Sequence, residues 1–251
     1  MATAPGPVRA VSPSQFRTVI FDCDATLSQI EGIEELGRAN RAEVAALTAA
    51  AMRGEVPLEE VYGRRLELAR PNRALVEEVG RLYIERIVPD TRETVTALHA
   101  AGIDVRIISS GVLPAVLMIA RDLGIADEKV AAVDLQFDEQ GEYAGYDTTS
   151  PVAAAFGKRH IVEAWREQME GPVMLVGDGA TDLEAKPVVE LFVAFAGVAR
   201  RPAVMAGADV VVLPNSMAPV YYLAMGDSPP GDAAARDLYE RGRAMLMSSE
   251  S

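Results

Sequence analysis

The first clear hydrophobic signal is a contiguous one. Val19, Ile20 and Phe21 form a short apolar run that leads directly into Asp22-Cys23-Asp24-Ala25-Thr26. Unbroken apolar runs of this length predict strands buried on both faces of a parallel sheet. The spacing then becomes helical over 31–40, 41–52, 57–69 and 72–87, with breaks at Arg53-Gly54, Pro71 and Val88-Pro89. Four successive helices with no strand between them predict a helical insert over 28–87.

Alternation of strand and helix resumes afterwards. Residues 91–101 read as a helix stopped by Gly102, 104–111 as a strand entering Ser109-Ser110-Gly111, and 113–123 as a helix stopped by Gly124. Residues 130–133 fit a further strand, and the apolar/polar alternation across 135–146 predicts a hairpin outside the main sheet. A helix over 152–168 carries Lys158 early in its length. The strand at 173–176 ends in Gly177-Asp178-Gly179-Ala180-Thr181-Asp182, and 191–195 and 209–213 supply two more strands. The expected fold is α/β, a doubly wound parallel sheet with right-handed crossovers and a small inserted helical domain. The expected boundaries are 16–27 and 88–225 for the core, 28–87 for the insert, and 1–15 and 226–251 for terminal extensions. A helix at 233–247 in the tail either packs on the body or serves self-association, so a homodimer is left open.

Composition narrows the functions available. With 37 acidic against 24 basic side chains and a net charge of −13, the chain lacks the positive surface that nucleic acid or an anionic membrane requires. A small anionic substrate needs only one or two placed cations. The single cysteine, Cys23, excludes a disulfide framework and reads as a small core residue pointing away from the two aspartates. His99 and His160 are too few for a histidine-rich metal site. No apolar run reaches membrane-spanning length. The first seventeen residues lack acids, as transit peptides do, but are short and proline-rich and run straight into the first strand, so they are read as a frayed terminus. The expected setting is a reducing cytoplasm.

The chemistry gathers at strand ends, where open α/β sheets place their ligand sites. Carboxylates can attack phosphorus, and a second acid beside the nucleophile can protonate a leaving oxygen and later activate water. An isolated Asp-x-Asp also suits an acidic turn. The hydroxyl of Ser109 and the amides of Ser110 and Gly111 can donate to phosphate oxygens, although Ser-Ser-Gly also suits a plain turn. Lys158 alone would read as an exposed helix lysine. The most specific piece is Gly-Asp178-Gly-x-x-Asp182 after four apolar residues. There a glycine-flanked carboxylate can approach Asp22, and Mg2+ is held by such carboxylates.

Taken in order, Asp22-x-Asp24-x-Thr26, Ser109, Lys158 and Gly-Asp178-Gly-x-x-Asp182 resemble the haloacid-dehalogenase superfamily of phosphohydrolases. Within it they resemble the phosphoserine phosphatase group, from about Thr18 to Pro214. The resemblance implies Asp22 as nucleophile, Asp24 as general acid and base, and Ser109, Ser110 and Lys158 as phosphate-binding residues. It implies Mg2+ held by Asp22, the carbonyl of Asp24 and Asp178, with Thr26 and Asp182 in support. It makes the insert a cap, with Glu31 on a substrate ammonium, Arg65 on its carboxylate and Met52 in the pocket wall. The implied substrate is a small phosphorylated amino acid, O-phospho-L-serine, hydrolysed through an aspartyl phosphate in serine biosynthesis. Other small phosphate esters, phosphotransfer, or a non-catalytic ligand-binding role are the alternatives. Ala25, Ser110, Ala155-Phe156 and Leu58 depart from the group's usual residues without removing a catalytic atom.

Overall fold

The structure, a computed structural model, describes residues 16–52, 56 and 58–248. Of the expected frayed amino terminus, residues 1–15 lie outside the described residues, whereas Phe16 is buried and the Phe16 and Arg17 amides donate to the Ala224 and Pro172 carbonyls, so the ordered chain begins before β1. Six strands form one parallel sheet in the order β3-β2-β1-β6-β7-β8, and β4 and β5 form a separate antiparallel pair. The strands are β1 Thr18–Phe21, β2 Asp104–Val112, β3 Val130–Val133, β4 Leu135–Phe137, β5 Tyr143–Tyr146, β6 Val173–Gly177, β7 Leu191–Phe195 and β8 Val210–Val212. Every residue of β1, β6 and β7 is buried, as strands covered by helices on both faces must be.

The chain moves outward from β1 through β2 to β3, then returns to place β6 on the other side of β1. That reversal creates a crevice at the carboxyl ends of β1 and β6, where ligands bind in doubly wound sheets. The register is level, with Phe21 opposite both Ile107 and Val176. Asp22 and Asp178 thus leave the sheet side by side, next to Ser109, which lies within β2 just past its last pairing with β1. The expected turn at Ser109-Ser110-Gly111 is instead a continuation of that strand to Val112.

Four helices, α1 Gly32–Leu36, α2 Arg41–Met52, α3 Leu58–Ala69 and α4 Arg73–Glu85, intervene between β1 and α5 Thr91–Ala100. The two segments that join them to the sheet meet in an antiparallel bridge between Ser28 and Ile87. The expected helix at 31–40 is shorter in the structure. It ends as α1 at Leu36, followed at Gly37 by a single tight turn, Arg38–Asn40.

The remaining helices are α6 Leu113–Asp122, α7 Gly157–Trp165, α8 Ala180–Ala185, α9 Pro202–Gly207, α10 Ala218–Met225 and α11 Ala233–Ser248. One expectation is corrected here, because 152–168 is not one helix. A tight turn at Pro151–Ala153 is followed by Phe156 in the left-handed region at φ 58°, and α7 starts only at Gly157. A Cβ on Gly157 would lie 1.8 Å from the carbonyl oxygen of Pro151, so the break depends on glycine there. Lys158 is consequently in the first turn of α7 and buried.

The tail helix α11 packs on the body. Tyr239 meets the Tyr222 ring edge-on at 5.0 Å and donates to the Gly226 carbonyl at 2.7 Å, and Arg241 pairs with Asp90 at 2.9 Å. Gly242 lies so close to α10 that a Cβ would fall 2.1 Å from the Ala218 carbonyl oxygen. Gly242→Ala should therefore destabilise the fold by about 1–3 kcal/mol, the usual range for overpacking against backbone. The check is a lower urea midpoint with an unchanged m-value.

Candidate active site

Asp22, Asp24, Glu31, Arg65, Ser110, Gly111, Lys158, Asp178 and Arg201 line one cavity above the β1–β6 crevice, together with Ile33, Thr48, Gly179 and Thr181. Local backbone explains the approach of the two aspartates. Beyond β1 the chain turns tightly over Cys23–Leu27, with Ala25 left-handed at φ 49°. Asp22 Oδ1 accepts from the Cys23 amide at 2.7 Å and pairs with Lys158 Nζ at 2.9 Å. The Cys23 side chain is fully buried in the core, and burial pushes its thiol up.

Lys158 also donates to Asp182 Oδ1 at 2.6 Å, and the other oxygen of Asp182 accepts from the Gly179 amide at 3.0 Å. Gly177 permits this packing, since a Cβ there would lie 2.2 Å from the Asp182 carboxyl carbon. Burial opposes the charge of Lys158, but Asp182 and Asp22 outweigh it and hold the ammonium above its ordinary range. Thr26 donates to Asp178 Oδ1 at 3.2 Å.

Asp24 is held from three directions. Its Oδ1 accepts from the Gly32 amide at 2.5 Å and the Tyr83 hydroxyl at 2.7 Å, and its Oδ2 from Ser109 at 3.3 Å. Gly32 and Tyr83 belong to the helical insert, so the insert holds an acid of the core. Tyr83 escaped the sequence reading because its helical spacing marks it only as a core residue.

Arg201 is the second residue that escaped it. From the loop before α9 it pairs with Asp178 and, at 2.8 Å, with Glu31 Oε1, linking core and insert. An Arg-Arg pair in a loop carries no signal in sequence. Arg65 is buried and donates to Thr48 at 3.2 Å, with its guanidinium 5.4 Å from the Tyr62 ring centroid. Its Nε has no hydrogen-bond partner, and among the described residues no carboxylate pairs with it. Burial lowers its pKa, partly offset by Tyr62 and Glu31. Ser109 is buried beneath the cavity, and its neighbours Ser110 and Gly111 form the wall. The side chain of Met52 lies outside the described residues.

Carboxylate oxygens of Asp22, Asp178 and Asp182 lie within 4.8 Å of one another. Burial pushes Asp22 well up despite Lys158, with Asp182, Asp178 and Asp24 adding to the rise. Burial raises Asp178 to about 6 although Arg201 opposes the rise. Glu31 is raised to about 8 by burial and by Asp24 and Asp178, again against Arg201. The cluster remains short of positive charge even with both cations present. A set of hard carboxylate oxygens in that condition fits a divalent cation.

The model of a hydrolase family described as haloacid dehalogenase-like hydrolase matches residues 16–185. The chain is 40% identical over 200 residues to the chloroplastic phosphoserine phosphatase of Arabidopsis thaliana, covering 77% of this chain and 68% of that protein. It is 37% identical over 185 residues to phosphoserine phosphatase of Homo sapiens, covering 71% and 81%. A solved phospho-aspartyl intermediate analogue of phosphoserine phosphatase is similar with a TM-score of 0.67 at 26% identity, covering 81% of this chain and 96% of that one.

The raised acids set a pH dependence for the metal-free protein. Glu31 moves from 4.5 to about 8 and Asp178 from 3.8 to about 6, so folding takes up protons in that interval. Their stabilising contribution is full below pH 4 and is lost as pH rises through 6 and 8. Denaturation in EDTA from pH 5 to 8 should show stability falling with pH, and saturating Mg2+ should flatten the slope.

Proposed function

Because this chain belongs to the haloacid dehalogenase-like hydrolase family, we propose that it is an Mg2+-dependent phosphomonoesterase that hydrolyses O-phospho-L-serine to L-serine and phosphate. The observation that carries the substrate reading is Arg65, a buried guanidinium with a free Nε in the same cavity as the two aspartates. An unpaired buried cation is costly, and a substrate carboxylate would satisfy it with the planar fork that guanidinium suits. Glu31 supports the other end of an amino acid. Arg201 takes its Oε1, leaving Oε2 for an ammonium.

Lys158 and the Ser109–Gly111 segment hold the phosphoryl group. Asp22 Oδ1 is engaged by Lys158 and the Cys23 amide, so Oδ2 is the attacking oxygen. It forms a bond to phosphorus as the bond to the serine oxygen breaks, and Asp24 delivers a proton to that oxygen. Asp24 then takes a proton from water as the water oxygen attacks phosphorus and the bond to Asp22 breaks, releasing phosphate. Asp22, Asp178 and the Asp24 carbonyl would hold Mg2+, with Asp182 and Thr26 in support. The ion supplies charge neutralisation for the transferring group. Residues 28–87 act as the cap, closing Glu31 and Arg65 over the core.

Among the described residues no helix is long and apolar enough to cross a membrane. The lone buried Cys23 suits the reducing cytoplasm proposed as the setting.

Purified protein should release phosphate from phosphoserine, with EDTA stopping the reaction and Asp22→Asn abolishing it. A kcat/KM for phosphoserine no better than for an aryl phosphate would defeat the substrate assignment. Arg65→Lys should raise KM for phosphoserine by about 10- to 100-fold, the cost of losing a charge-assisted bidentate contact, with little change for the aryl phosphate. Equal losses on both esters would remove Arg65 from carboxylate recognition.

A further inference from the structure

We propose that Tyr83 of the helical insert is the positioning residue for proton transfer by Asp24, and that it fixes Oδ2 as the oxygen that gives and takes the proton. The inference rests on the phosphatase reading above and adds to it a residue that the reaction needs but the substrate never touches.

Tyr83 lies in α4 and is fully buried, so anything it does in the reaction passes through its neighbours. Its hydroxyl donates to Asp24 Oδ1 at 2.7 Å, and the Gly32 amide at the start of α1 donates to the same oxygen at 2.5 Å. The two donors converge because Gly32 has no side chain. A Cβ there would lie 1.9 Å from the Tyr83 hydroxyl oxygen. Burial and then the Asp24 charge push the phenol well up, so the hydroxyl keeps its hydrogen and stays a donor. A tyrosine hydroxyl in a protein core needs a partner, and here the partner is the reacting acid.

A carboxylate oxygen has room for about two donors. Oδ1 has both, so a proton carried by Asp24 has to sit on Oδ2. Among the described residues Oδ2 accepts from Ser109 alone, at 3.3 Å, the longest of the three contacts. It lies at the cavity wall, since a Cβ on Gly111, which lines the cavity, would fall 2.9 Å from it. Ser109 belongs to the segment that holds the phosphoryl group, so an arriving phosphate takes over its hydroxyl and frees Oδ2. The proton passes from Oδ2 to the serine oxygen as the bond between that oxygen and phosphorus breaks. Oδ2 takes a proton back when water attacks the aspartyl phosphate. Tyr83 remains on Oδ1 through both steps and keeps the carboxyl from rotating.

With the full chain in excess over ester and Mg2+ present, release of the alcohol reports the first bond exchange alone. Nitrophenolate departs without a proton, whereas the oxygen of serine needs one. Tyr83→Phe removes the hydroxyl and keeps the ring. It should slow serine release from phosphoserine about 10- to 100-fold, as expected for a lost hydrogen bond to a charged group, while nitrophenolate release from 4-nitrophenyl phosphate slows far less. Equal slowing of both esters would overturn the proposal, because a packing defect does not discriminate between leaving groups, and so would an unchanged rate on phosphoserine. A wild-type protein that releases nitrophenolate but leaves phosphoserine intact would defeat the substrate reading alone. Phenyl phosphate, whose leaving group is more basic than nitrophenolate, then takes the place of phosphoserine, and the same comparison decides the role of Tyr83.

Discussion

A single buried ammonium, Lys158, is shared between Asp22 and Asp182, and the arrangement of the whole catalytic wall follows from it. Three carboxylates crowd the ends of β1 and β6, and without a cation among them the charged forms would repel and desolvate at once. Breaking one member of such a buried group leaves uncompensated charge worth about 3–5 kcal/mol. Lys158 can reach that point because α7 begins at Gly157. The left-handed Phe156 and the missing Cβ at Gly157 let the chain turn against Pro151 and drive the first helical turn into the crevice. A backbone detail some distance from the reacting atoms thereby sets their electrostatics.

The second dependence runs between insert and core. Tyr83 and the Gly32 amide hold Asp24 from above, while Arg201 reaches up from the core to Glu31 and down to Asp178. The groups proposed for proton transfer, metal binding and ammonium recognition are therefore wired into one network that exists only when insert and core are together.

The burial of these groups also explains why acids in the site drift toward neutrality. Asp22, Asp178 and Glu31 are all pushed upward by desolvation against the pull of Lys158 and Arg201. The divalent cation proposed for the site would relieve that imbalance.

Much of this was legible in the chain. Buried parallel strands announce themselves as contiguous apolar runs, so β1, β6 and β7 and the polar residues at their ends could be placed from local pattern alone. The glycines around Asp178 marked its approach to Asp22, the carboxylate oxygens of the two lying within 4.8 Å of each other, while Gly177 also admits Asp182. Helical spacing likewise identified the insert and α11. What pattern could not supply was which side chains meet across long separations. Arg201 and Glu31 are 170 residues apart and Tyr83 and Asp24 are 59 apart. In sequence each is only a loop charge, a helix charge or a core aromatic.

Periodicity also ran through the break at Phe156, because apolar spacing records which face is buried and not the sign of φ. The sequence by itself determined the strands and the run of helices between β1 and α5, since these depend on local spacing, and residue chemistry nominated the reactive groups. The tertiary structure alone decided their partners, because hydrogen bonds and charge compensation depend on distances that chain order does not encode.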